Sequence, residues 1–278
     1  MSYRTIIVHA DASRHAPQRI RIAARLAVEH EAHLIGVAAI GVSREVFPDG
    51  YRAVPGSLEA SYFSPLHETA TRALHGFAAL ASETGVVHEK RLVCDLASEA
   101  LARMGRYADL VVVSQEDLTE ALAETVGRIP EYVAFTCARP VLVVPCAPVP
   151  HFMGRHVLVA WNGSKEASAA LLAALPLMRR AVRVTLVSFR SPGDTDLGDA
   201  QQKADLAAFL ARHDVQAEII AFDRHIDGGQ ALLTLATQEA YDLLVIGCYG
   251  HSQFRELFLG GVTRKVLQEA TMAVLMAR

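Results

Sequence analysis

The segment GCYGHSQFRELFLGG, residues 247–261, carries glycines at both ends and precedes a predicted helix. Gly247 and Gly250 open the segment, and Gly260 and Gly261 close it. A helix N-terminus presents unpaired backbone N–H groups and a partial positive charge, which together favour a phosphate group. Glycine lets a ligand approach the backbone closely. The pattern therefore indicates a phosphate site, although glycines at such positions also serve turns alone.

Other chemical motifs are absent from the sequence. There is no P-loop, no dinucleotide-binding G-x-G-x-x-G and no G-x-S-x-G nucleophile motif. None of the 12 histidines joins cysteines or carboxylates at a recognised metal-ligand spacing, so we predict no metal site and no catalytic residues. His251 could contact a phosphate or lie exposed in its loop. Three aspartates could bind Mg²⁺ or cap helices, and we favour capping: Asp95, Asp223 and Asp227.

The composition is that of a globular protein. Of 278 residues, 51% are hydrophobic and 21% charged, and the net charge of −3 gives no sign of a nucleic-acid or membrane partner. No apolar run reaches the roughly 20 residues that span a membrane. The four cysteines form no C-x-x-C pair, which favours reduced thiols. We expect a soluble, cytoplasmic protein.

The chain repeats one unit twice. IIVHADAS matches VLVAWNGS, so that Asp11 aligns with Asn162, 151 positions later. ADLVVVS matches YDLLVIG, so that Asp109 aligns with Asp242, only 133 positions later. The first copy therefore carries about 18 extra residues between these two matches.

Prolines and glycines in residues 41–65 indicate that the extra segment is a loop. Residues 145–154 contain three prolines and predict a short, stiff linker. We therefore predict two domains, residues 1–146 and 154–278.

Each copy alternates predicted strands and helices. RHVLVAW is a continuous apolar run, as expected of a strand that is buried on both faces. The following segment has helical spacing of apolar residues, and Ser164 is its predicted N-cap. The alternation predicts an α/β protein with two doubly wound, five-stranded parallel-sheet domains, Rossmann-like in architecture. Such sheets bind ligands at the carboxyl ends of their strands.

VLVAWNGSKEA together with DLLVIGCYGHSQFRELFLGGVTRKVL resembles the universal stress protein domain. The resemblance covers both copies, so the chain is similar to a tandem form of that family. G-x2-G-x9-G in that family marks the members that bind ATP, which implies ATP as the ligand, with or without Mg²⁺. The residues implied at the triphosphate and ribose are Gly247, Gly250, Gly260, Gly261, Val262 and Thr263. Those implied at the adenine and ribose are Ala160, Trp161, Asn162 and Phe189.

Two positions depart from the family pattern. Asn162 stands where the family usually has aspartate, so it brings no charge for a metal. Gly261 stands where serine or threonine is usual, so one hydroxyl to phosphate is lost. We expect weaker, not abolished, binding.

The first copy has lost most of the motif. Gly127 matches Gly260, but the counterparts of the other motif residues differ, namely Ser114, Asp117, Arg128 and Pro130. Asp117, Glu116 and Glu131 would place negative charge near a phosphate, and Arg128 would be the only opposing cation. Pro130 has no backbone N–H to donate. We therefore expect the first copy to keep the fold without the phosphate site.

These features favour a stress-response regulatory protein that binds ATP in its C-terminal domain and is not an enzyme. A slow nucleotide hydrolase stays open as an alternative, as does an interaction module whose pocket is vestigial or holds another small ligand. The resemblance also implies that the two copies pack as a pseudo-dimer through their last strands, and a homodimer is open as well.

Overall fold

The structure is a computed structural model, and it describes residues 2–48, 51, 54, 56–117, 119–120, 128–149, 153–189, 196–222, 228–248 and 261–278. The chain divides into two compact units, Ser2–Cys146 and Ala147–Arg278. Among the described residues, no helix is both long and apolar enough to cross a membrane.

The N-terminal unit is a five-stranded parallel sheet with helical crossovers. Its strands lie in the order β3-β2-β1-β4-β5. Its elements in chain order are β1 Thr5–His9, α1 Ala16–His30, β2 His33–Ala39, α2 Leu58–Glu83, β3 His88–Val93, α3 Ala97–Gly105, β4 Leu110–Ser114, α4 Ile129–Thr136 and β5 Val141–Val144.

The C-terminal unit repeats this plan with the strand order β8-β7-β6-β9-β10, again all parallel. Its elements are β6 His156–Trp161, α5 Lys165–Met178, β7 Arg183–Phe189, α6 Asp196–Arg212, β8 Glu218–Phe222, α7 Gly228–Gln238, β9 Leu243–Gly247, α8 Gly261–Glu269 and β10 Ala273–Ala277.

The central strands are apolar because helices cover both faces of a parallel sheet. Val157, Leu158 and Val159 in β6 are at most 1% exposed, and the same holds for Leu110 and Val111 in β4. The predicted α/β class, with its parallel sheets, is confirmed. The packing of the two copies as a pseudo-dimer stays a prediction.

In each unit the strand order reverses beside the first strand, between β1 and β4 and between β6 and β9. At such a switch point the crossover helices leave on opposite faces, and a crevice opens at the carboxyl ends of the two strands. This crevice is where the functional residues of each unit are expected.

The prediction that residues 41–65 form a loop is wrong for its last part, because α2 begins at Leu58 and includes Pro65. The Ser57 hydroxyl accepts a hydrogen bond from the Ala60 N–H at 3.1 Å and caps the helix. Phe63 packs edge-on against Phe47, with 4.8 Å between ring centroids. The cap and this packing outweigh the single helical hydrogen bond that proline removes.

Candidate functional site

The C-terminal crevice brings together residues that end two paired strands. Val159 of β6 lies opposite Val245 of β9, so that the ends of both strands reach the same edge. Ala160 and Trp161 are half-buried there, and Asn162 is exposed.

Asn162 and Ser164 shape the turn that leads into α5. The Asn162 side-chain oxygen accepts a hydrogen bond from the Ser164 N–H at 3.1 Å. The Ser164 hydroxyl in turn accepts from the Ala167 N–H at 3.1 Å, which confirms the predicted N-cap. The first turn of α5 therefore begins at this edge.

Gly247 is glycine for a steric reason. A Cβ atom on Gly247 would lie 2.5 Å from the Ala167 nitrogen and 2.5 Å from the Glu166 carbonyl carbon. Both are backbone atoms that cannot move without shifting α5. Gly247 therefore allows β9 to approach the N-terminus of α5, and this steric requirement holds with or without a ligand at Gly247.

No described residue covers the N-terminus of α8 at Gly261. Gly261 and Val262 are exposed, whereas Thr263 is buried, at 6% exposure. A Cβ atom on Gly261 would meet no atom of the described residues within 4 Å. The first N–H groups of a helix have no intrahelical partner, so this terminus offers donors to an anion, and the described residues leave space for one beside Gly261.

Some residues predicted for the site lie outside the described residues, namely Gly250, His251 and Gly260, and the same holds for Asp223 and Asp227. The backbone of Phe189 ends β7 and pairs with Phe222.

The N-terminal crevice contains a buried arginine. Arg19, in α1, is 1% exposed. Its Nε donates to the His9 carbonyl oxygen at 2.8 Å, Nη1 to the Ser114 hydroxyl at 2.5 Å, and Nη2 to the Asp11 carboxylate at 2.9 Å. His9 and Ser114 end β1 and β4, so the guanidinium lies between the ends of the two central strands.

The prediction that Arg128 is the only cation near this edge is therefore wrong. Arg19 lies within a helix and belongs to no recognisable motif, so its role could not be predicted from its local sequence. The repeat could have revealed it. The 151-residue spacing that aligns Asp11 with Asn162 also aligns Arg19 with Ala170, so the first copy has a large cation where the second has a small apolar residue.

Arg19 also contributes to the pKa shifts of its neighbours His9 and Asp11. Burial opposes ionisation of Asp11, but the Arg19 guanidinium, His9 and hydrogen bonds from Ser13 and Arg19 hold the pKa of Asp11 well below its usual range. Burial, with a further contribution from Arg19, lowers the pKa of His9 to about 4, although Asp11 opposes the shift. At neutral pH the cluster is thus a neutral imidazole beside an arginine–aspartate ion pair.

Asp117, which sequence analysis placed as a repulsive carboxylate, is also neutralised within the unit. Arg14 pairs with its Oδ2, and His15 Nε2 lies 2.7 Å from the same oxygen. Hydrogen bonds from His15, Thr119 and Arg14 hold the pKa of Asp117 well below its usual range. The Asp117 carboxylate is therefore already paired with cationic and hydrogen-bonding groups of its own unit.

Asp95 does not act as the N-cap of α3. That position is Leu96, which makes no side-chain cap, and Asp95 precedes it. The Asp95 carboxylate accepts from Arg103 Nη1 at 2.7 Å and is 2% exposed, so the favoured capping role is replaced by an ion pair between a buried carboxylate and a partly exposed arginine.

Two further features escaped sequence analysis. Glu166, 3% exposed, lies beside Gly247 and has Lys165 Nζ at 3.6 Å. His15, Asp117 and Cys146, which are far apart in sequence, place one potential ligand atom each within 4.8 Å of one another. Spacing along the chain cannot reveal such a set, because the sheet brings its members together.

Comparisons with known proteins agree with this architecture. The model of the universal stress protein family matches residues 153–278. A universal stress protein of Thermus aquaticus is 31% identical over 137 residues, which are 45% of this chain and all of that protein. One from Synechocystis is 27% identical over 180 residues, which are 61% of this chain and 58% of that protein's length.

Solved structures share the fold over almost the whole chain. A universal stress protein from Archaeoglobus fulgidus has a TM-score of 0.75 at 13% identity, and the match covers 99% of this chain and 96% of that one. A protein from Pseudomonas aeruginosa, described as a putative universal stress protein, has a TM-score of 0.65 at 15% identity, with 99% and 93% covered. The full Thermus match and the family model that covers the C-terminal unit together establish that the chain belongs to the universal stress protein family.

Proposed function

We propose that the C-terminal unit binds one adenine nucleotide, ATP, and that the protein acts as a regulatory member of its family with little or no hydrolysis. The observation that supports this most is the contrast between the two crevices. In the N-terminal unit Arg19 fills the space between the ends of β1 and β4. In the C-terminal unit Ala170 stands at the matching position, and no described atom would lie within 4 Å of a Cβ on Gly261 at the start of α8.

The proposed pose follows from the positions of the donors. The phosphates lie against the exposed first turn of α8, where the N–H groups of Gly261 and Val262 are donors. The adenosine moiety lies along Ala160 and Trp161 at the end of β6. Because Asn162 has no charge, the described part of the site offers Mg²⁺ no carboxylate at that position, and ATP binds with or without the metal.

Two measurements test the proposal. Mass spectrometry of the small molecules that are released on denaturation identifies any co-purified nucleotide. Calorimetric titration with ATP then compares the wild type with Gly261→Glu. A carboxylate at the phosphate position repels the ligand by several kcal/mol at short range, so binding should be lost. Gly261→Ala is the matched control and should keep most of the affinity. Full ATP affinity in Gly261→Glu would refute the proposed site.

Turnover should be at most marginal, below about one ATP per minute against the roughly 10 per second of a typical enzyme. A steady phosphate-release assay measures this rate. Glu166 is the observation that keeps the hydrolase alternative open, because it is a buried carboxylate beside the crevice. Ordinary turnover that disappears in Glu166→Gln would favour the hydrolase.

A further inference from the structure

Three potential metal ligands converge at the carboxyl edge of the N-terminal unit. His15 precedes α1, Asp117 follows β4, and Cys146 follows β5. Their ligand atoms all lie within 4.8 Å of one another. The side chains of His15 and Asp117 are only 14% and 10% exposed, and Cys146 is half-buried. The cluster is therefore sheltered but still reachable from solvent.

The surrounding hydrogen bonds hold the three residues in place. Thr119 donates from its N–H at 2.9 Å and from its hydroxyl at 2.7 Å to Asp117 Oδ1, which leaves Oδ2 directed to the cluster. The Gln115 side-chain oxygen accepts from the Cys146 N–H at 2.9 Å. Gln18 Nε2 donates to the Pro145 carbonyl at 3.0 Å and ties α1 to the end of β5. Outer contacts of this kind orient the ligands of metal sites.

The cluster already holds a cationic group. Arg14 pairs with Asp117 Oδ2, and its Nε lies 3.2 Å from His15 Nε2. The Arg14 side chain is 60% exposed, so it can rotate into solvent at small cost. A divalent cation would take over its position next to the same oxygen and nitrogen.

The donor atoms select the class of metal. One imidazole nitrogen, one carboxylate oxygen and one thiolate sulfur suit Zn²⁺ and similar transition metals, whereas Mg²⁺ and Ca²⁺ prefer oxygen ligands throughout. We propose that His15 Nε2, Asp117 Oδ2 and Cys146 Sγ bind one Zn²⁺-class ion, displacing Arg14 and leaving a fourth position for water. The metal ion takes the place of the Arg14 guanidinium beside Asp117. It links the start of α1 to the segments that follow β4 and β5.

Binding requires a small adjustment. His15 Nε2 and Asp117 Oδ2 are 2.7 Å apart, which is a hydrogen-bond distance, and a tetrahedral ion with bonds of about 2.0 Å would separate them to about 3.3 Å. Rotation of two side chains supplies this change. The C-terminal unit has Glu166 and Gly250 at the positions that match His15 and Asp117, so the proposed site belongs to the N-terminal unit alone.

Cobalt titration tests the site because Co²⁺ reports a thiolate ligand by its charge-transfer absorption. The reduced, untagged full-length protein should develop this band and saturate at one Co²⁺ per chain, and Zn²⁺ should abolish the band. Cys146→Ser should remove it. Cys94→Ser is the matched control and should keep it, since Cys94 is a half-buried thiol outside the cluster.

Two more variants keep the test decisive if Cys146→Ser folds poorly. His15→Ala should weaken Co²⁺ binding at least about tenfold, since loss of a ligand costs no less than loss of an outer partner. Arg14→Ala should strengthen binding several-fold by removing the competing cation. The inference is overturned if the wild type shows no thiolate band, if the band survives Cys146→Ser, or if Arg14→Ala weakens binding.

Discussion

His9 is a buried residue whose titration makes the stability of the N-terminal unit depend on pH. Its imidazole is 6% exposed, and its Nδ1 lies 3.2 Å from Asp11. Burial and Arg19 keep it neutral, with a pKa of about 4 instead of 6.5. In the C-terminal unit the matching residue is Ala160, which does not titrate.

We predict that the N-terminal unit loses stability as the pH falls from 6.5 to 4. In this window the unfolded chain takes up a proton at His9 and the folded chain does not, so the free energy of unfolding decreases with falling pH. The lowering of the His9 pKa from 6.5 to about 4 corresponds to a total loss in the free energy of unfolding on the order of 3 kcal/mol. His9→Ala should flatten the pH dependence by a comparable amount.

Urea unfolding at several pH values measures this effect. Far-UV circular dichroism follows both units, while the fluorescence of Trp161, the single tryptophan, reports the C-terminal unit. Equal pH dependence in the wild type and in His9→Ala would show that His9 is not the group responsible.

At the scale of elements, the contact between β9 and α5 depends on Gly247. A side chain there would collide with the backbone of Glu166 and Ala167, whereas a Cβ on Gly261, at the start of α8, would meet no described atom within 4 Å. The two glycines belong to the same sequence motif, yet the structure gives them different constraints.

Gly247→Ala should destabilise the C-terminal unit by about 1–3 kcal/mol, because the added methyl group forces two backbones apart. Gly261→Ala is the control and should change stability by less than about 0.5 kcal/mol, since its position is exposed. Urea midpoints from Trp161 fluorescence provide the comparison. Equal losses in the two variants would contradict the steric interpretation of Gly247.

At the scale of the whole molecule, the repeated fold carries two crevices with different contents. Arg19, Asp11 and Ser114 form a closed hydrogen-bonded cluster in one of them. Breaking the Arg19–Asp11 ion pair is costly, because it leaves the buried Arg19 guanidinium without its charged partner. A nucleotide would have to displace this cluster, and we therefore expect no nucleotide to bind in the N-terminal unit.

We accordingly predict one ATP per chain. Calorimetry should give a stoichiometry of one, and Arg128→Glu, at the position that matches Gly261, should leave ATP affinity nearly unchanged. A stoichiometry of two, or an Arg128→Glu variant as impaired as Gly261→Glu, would refute an exclusively C-terminal site.

Local pattern was sufficient to predict most of this architecture. Continuous apolar runs such as VLVAW, the helical spacing after Ser164 and the repeat of the unit all follow from burial on both faces of a parallel sheet. These signals lie within a few residues of one another, so one chain reveals them. The start of α2 at Leu58 escaped this reasoning, because its cap and the contact between Phe63 and Phe47 outweigh the proline signal.

Only the tertiary structure decided which side chains lie together in each crevice. Arg19 reaches His9 and Ser114 because α1 packs beside the ends of β1 and β4. His15, Asp117 and Cys146 meet only when three separate segments end at one edge of the sheet. The sequence alone determined the repeated α/β units and the glycine motif of the second. Which side chains share a crevice depends on contacts between distant segments, and no local periodicity records them.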